Sequence, residues 1–111
     1  MAESRTLPFS TRTATGDGLD VQFPLHPATV SAAHTAELLT RTLETVTNTV
    51  TAAERYANGD VLQSLAMALA VRATMIHAPH AVTAELARDL LETALAATHA
   101  ASANGFDGGH A

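Results

Sequence analysis

The residues with the most potential for chemistry in this chain fall in one stretch, VLQSLAMALAVRATMIHAPH, residues 61–80. Arg72 is the one formal charge in it and sits in an otherwise apolar run. A guanidinium is kept in such surroundings only where something compensates its lost hydration. Three environments fit it: an ion pair with a carboxylate such as Glu85, Asp89 or Glu92, within the chain or across a dimer; an anion or ligand contact lining a bundle cavity; or a less buried strip of helix. Just beyond it, His77 and His80 flank Ala78-Pro79 and offer two imidazoles close in sequence, which His26, His99 or an outer Glu would have to complete. Zinc and iron sites need three or four convergent ligands, and the chain has no Glu-x-x-His pair of the kind carboxylate-bridged bundles use. His34-x-x-Glu37 runs in the reverse order. Arg72, His77 and His80 are therefore the candidate ligand-binding residues, with no metal and no cofactor assigned. His77 near a helix C-terminus also has a simpler role, since a partly protonated imidazole interacts favourably with the last carbonyls.

The composition removes several chemistries. There is no Cys, which excludes disulfides, thiolate catalysis and Cys-based zinc sites, and the six cationic residues are all Arg, so there is no lysine for a Schiff base. The formal net charge of -5 comes with no basic stripe, which disfavours nucleic acid as a partner. No nucleophile elbow or phosphate-cradling glycine loop is present, and the chain reads as more a binding protein than an enzyme. Met67, Val71 and Met75, at i,i+4 spacing, have the look of a cofactor wall but read as core filler. MAESRTLPFS lacks a cationic start followed by an apolar core, so no signal peptide is read and a cytoplasmic location is the default. Residues 61–78 approach the length of a membrane span, but Gln63, Ser64, Arg72 and Thr74 interrupt them, and no membrane partner is expected.

Tyr56-Ala57-Asn58-Gly59-Asp60 forms a Y-x-x-x-D string at the join of two helices. It resembles a signal on helical-hairpin substrates of a specialised secretion pathway in actinobacteria, and the Lys-free composition is similar to that of GC-rich genomes. The resemblance covers five residues. Those substrates also carry a W-x-G turn and place the string after their second helix, whereas this chain has no Trp and places it after the first. No family is drawn from it.

The elements that must position these residues follow from periodicity. With 111 residues, one domain is expected, in three parts: an N-terminal arm over 1–25, a helical domain over 26–105 and a flexible tail over 106–111. In the arm, Leu7, Phe9, Thr11 and Thr13, then Leu19, Val21, Phe23 and Leu25, alternate with less hydrophobic residues on either side of a TGDG turn at 15–18. That pattern predicts a β-hairpin, with Pro8 and Pro24 confining its strands to edges. A first helix over about 27–57 starts with Pro27 in its first turn. Its seam, Ala32, Ala36, Leu39, Leu43, Val46, Val50, Ala53 and Ala57, is spaced 4-3-4-3-4-3-4 as in a coiled coil. His34, Glu37, Arg41, Glu44, Asn48, Thr51 and Arg55 lie opposite, with Glu37 placed to pair Arg41. ANG at 57–59 supplies a left-handed stop.

Asp60 then caps a second helix over about 60–78. A third, over about 81–103, turns Leu86, Leu90, Leu91, Ala94, Leu95, Thr98 and Ala101 inward and ends in a second ANG, while Glu85, Arg88, Asp89, Glu92 and His99 face out. TAEL at 35–38 and 83–86 is a faint internal echo between the first and third helices.

The second helix is apolar over more of its circumference than two neighbours can cover. The expected fold is therefore all-α: a three-helix protomer with a buried central helix and a hairpin-like arm, assembled into an oligomeric bundle. Leu62, Leu65, Leu69, Val71 and Ile76 are the expected oligomer interface. The leading functional expectation is a non-enzymatic scaffold or accessory subunit whose partner is itself, as a dimer or larger assembly, or a larger protein. The alternative is a small-molecule or metal-binding bundle, or small enzyme, built around Arg72, His77 and His80.

Overall fold

A computed structural model of the chain describes residues 5–12, 18–53 and 55–101. It contains three helices and a two-stranded antiparallel hairpin: β1 (Thr6–Arg12), β2 (Gly18–Pro24), α1 (Ala32–Ala53), α2 (Asn58–Thr74) and α3 (His80–Ala101). The chain divides into two compact units, residues 1–36 with 90–111, and residues 37–89.

The hairpin is the one the period-two pattern predicts. Leu7 pairs with Phe23, Phe9 with Val21 and Thr11 with Leu19, so the alternating apolar residues of both strands share one face. Val21 at 2% exposure and Leu7 at 7% are the buried hydrophobic residues among those described. The Phe9 and Phe23 rings lie 6.4 Å apart at 47° on the same face. Every residue of the opposite face is exposed, and there Ser10 Oγ donates to Asp20 Oδ1 at 2.5 Å.

The hydrogen bond from Leu25 N to Arg5 O makes that pair a bonded one, so by alternation along the register Pro8 and Pro24 fall at non-bonded positions. Their missing N–H groups would have pointed outward, and the ladder loses nothing to them. The TGDG turn lies mainly outside the described residues; Gly18, its last member, opens β2.

Arg5 joins the hairpin to the segment that leads into α1. Its Nη2 donates to His26 O at 3.3 Å and to Thr29 O at 2.7 Å, two carbonyls of a turn that is closed by Thr29 N to His26 O at 2.8 Å. His26 Nδ1 accepts from Ala28 N at 2.9 Å, which fixes the ring within the turn.

The helices begin and end elsewhere than the sequence suggests. Pro27 lies in that turn, and α1 starts at Ala32, where Ser31 Oγ accepts from His34 N at 3.1 Å and satisfies one of the unpaired first-turn donors. The α1 helix ends at Ala53, four residues before the expected ANG stop. Asn58 and Gly59 instead form the first turn of α2, with Ala57 as its N-cap and no side-chain cap bond, so Asp60 is a first-turn acid and not the cap. There it still favours the positive end of the helix dipole. The second ANG and the tail over 106–111 lie wholly or mainly outside the described residues.

Along α1, six of the eight expected seam residues, Ala32, Ala36, Leu39, Leu43, Val46 and Val50, are half-buried, while Ala53 is exposed, Ala57 lies beyond the helix, and the opposite polar face is exposed. Glu37 and Arg41 pair at 3.2 Å. On α3 the covered stripe keeps four of the seven expected residues, Leu86, Ala94, Thr98 and Ala101, and loses three. Thr83, 4% exposed, is the buried polar residue, and the half-buried positions are mostly small: Ala84, Ala87, Ala94, Ala97, Thr98 and Ala101, joined by Leu86. Leu90, Leu91 and Leu95, expected inside, are exposed. No residue of α2 is buried within the chain, which overturns the expectation of a buried central helix in the protomer itself.

Candidate interaction surface on the second helix

The α2 sequence NGDVLQSLAMALAVRAT is built mostly of strong helix formers (Ala, Leu, Met, Gln and Arg) from Leu62 to Ala73 and has only two charges, Asp60 in the first turn and Arg72 in the last. Its apolar residues resolve into two ridges. Val61, Leu65, Leu69 and Ala73 follow one another at i,i+4; Val61, Leu65 and Ala73 are half-buried and Leu69 is just past that at 38% exposure. On the opposite side Met67, Val71 and Met75 make a second i,i+4 ridge and are 56%, 54% and 65% exposed. These three were expected as core filler, yet within the chain they fill no core. Leu62 and Ile76 are likewise exposed, so of the expected interface residues Leu62, Leu69, Val71 and Ile76 are open and Leu65 is half-covered.

Between the C-terminal half of α1 and the N-terminal half of α2 lies a groove of about 480 Å³. Val46 and Val50 line it from α1, Asp60, Val61 and Ser64 from α2, and Tyr56 from the connection. The lining is predominantly apolar. Arg55 lies over the Tyr56 ring at 5.4 Å, a cation–π contact at the helix join. The sequence signal for the α1 wall of this groove was the seam, which carries Val46 and Val50.

The three candidate ligand-binding residues do not converge on a site. Arg72 is exposed on the last turn of α2 and makes no ion pair among the described residues; Glu85, one of its expected partners, lies 3.9 Å from Arg88 instead. Its charge there complements the negative end of the helix dipole. Since α2 ends at Thr74, His77 falls in the connection to α3, while His80 is the first residue of α3, and both are exposed. Among the described residues no group of three or more His, Asp or Glu is placed to hold a metal ion. No described helix is long and apolar enough to cross a membrane. No protein family, curated protein or solved structure matches this chain.

Proposed function

We propose that the chain is a non-enzymatic helical interaction subunit, a scaffold or accessory component, that works as a homo-oligomer through α2. The supporting observation is the ridge Met67, Val71 and Met75, each more than half exposed on a helix with no buried residue. Isolated exposed hydrophobics are ordinary, but a contiguous apolar surface marks an interaction site. The exposed leucines of α3, Leu91 and Leu95, extend the same shortage of cover to a second helix. Sedimentation velocity across a dilution series from high to low micromolar tests the reading. The expected result is a mass of at least two chains that falls on dilution; a folded single chain at every concentration would refute it.

A further inference from the structure

We infer that a second copy of this chain docks antiparallel along α2, seating its Met67-Val71-Met75 ridge against the α1/α2 groove and pairing Asp60 of each copy with Arg72 of the other. The inference rests on the homo-oligomer reading and adds its geometry. Asp60, Ser64, Met67, Val71 and Met75 are spaced 4-3-4-4, so the ridge continues, along the same face of α2, the wall that Asp60 and Ser64 contribute to the groove. One half of that face is a concave apolar groove and the other half a projecting apolar ridge. A surface of that kind is complementary to itself when one copy is turned end over end, as a two-fold interface requires.

The two charges of α2 specify the same orientation. Asp60 and Arg72 are both exposed, have opposite signs, stand at opposite ends of the helix and are separated by twelve residues, about 18 Å of rise. A two-fold axis crossing α2 near Ala66 brings each Asp60 level with Arg72 of the second copy, twice over. It also lays Val71 and Met75 beside residues 61 and 57 of the second copy, where the groove opens between Val46, Val50 and Tyr56. A parallel pair would instead set Asp60 against Asp60 and Arg72 against Arg72, and the helix dipoles would also repel.

The test uses the full chain and sedimentation equilibrium. Asp60→Arg and Arg72→Asp each place like charges opposite one another twice, so each alone is expected to raise the dimer Kd at least tenfold. Mixed one to one, they restore both pairs, and the heterodimer is expected to return to the wild-type Kd. Both positions are exposed, and far-UV circular dichroism of each variant checks that the helices persist. As a second measurement, Asp60→Cys and Arg72→Cys, in a chain otherwise free of Cys, should cross-link to each other through a short bis-maleimide and neither to itself. A dimer that forms equally well in both charge variants, or a mixture no tighter than its components, overturns the antiparallel register while leaving the homo-oligomer reading standing. A wild-type chain that stays single overturns both.

Discussion

Replacing Met67, Val71 and Met75 together by Ala separates an open ridge from a covered one by the sign of its effect. Ala is the best helix former, so in a lone chain the triple variant gains a few tenths of a kcal/mol of helix stability at positions 67 and 71, changes little at Met75, which caps the helix C-terminus, and loses little burial. In an assembly the truncated atoms matter. Val71→Ala removes two carbon groups and each Met→Ala about three heavy atoms, at about 0.8 kcal/mol per buried CH₂. Scaling by the 54%, 56% and 65% that the chain itself leaves uncovered gives about 0.9, 1.3 and 1.6 kcal/mol respectively if a partner covers the rest. A two-fold interface counts each loss twice, for an upper bound of about 7.6 kcal/mol. With half of the open area covered, the loss is about 3–4 kcal/mol, or several hundredfold in Kd. Sedimentation velocity gives the Kd, and melting followed by circular dichroism at two concentrations gives the stability. The expected result is a large loss of assembly together with a lower melting temperature. A triple variant with the wild-type dilution curve and an equal or higher melting temperature would refute the reasoning.

Four further outcomes are expected. Val21→Ala, at the buried centre of the hairpin face, should cost about 1.5–2.5 kcal/mol in urea denaturation, through lost burial and a residual cavity. Arg5→Gln should destabilise by about 1.5–3 kcal/mol, because it withdraws a charged donor from the carbonyls of His26 and Thr29. Ser31→Ala should lower stability by about 1 kcal/mol through the lost cap of α1, with Ser31→Thr retaining most of it. Glu37→Gln should change stability by no more than about 0.5 kcal/mol, because both members of its pair with Arg41 are more than half exposed.

Period and spacing were the most legible parts of this sequence. The hairpin and the α1 seam follow from them directly, because a period of two or of 3.5 fixes which residues share a face whatever those residues later contact. Boundaries were harder to read. Pro27 is acceptable in a first helical turn, but Ser31 supplies a side-chain acceptor at the right place and α1 begins there. The ANG triplet satisfies the composition of a helix stop, yet Asn58 and Gly59 serve as a helix start. On α3, ranking residues by hydrophobicity points Leu90, Leu91 and Leu95 inward, while the stripe that is covered is the one with Thr83 and five alanines. Arg5 left no sequence signal, because its partners are backbone carbonyls more than twenty residues away.

Two neighbours were expected to leave part of the apolar circumference of α2 uncovered, and within the chain no residue of α2 is buried at all. That difference carries a physical consequence for Arg72. Inside a buried helix it would need a carboxylate, from its own chain or across a dimer, and the cost of desolvation would make the pairing obligatory. On an exposed helix it needs none, and at the last turn its charge is already favourable beside the carbonyl end of the dipole. Its sign and position then bear on orientation more than on stability. With Asp60 at the other end, α2 is a rod with two charged termini and an apolar middle. The apolar middle supplies non-directional attraction, which by itself would permit either orientation and several registers. Two opposite charges at fixed separation remove the parallel option and pin the register, in the way polar positions do in coiled coils. Affinity and specificity are thus assigned to different residues of one helix, which is why truncating Met67, Val71 and Met75 and reversing Asp60 or Arg72 should fail in different ways.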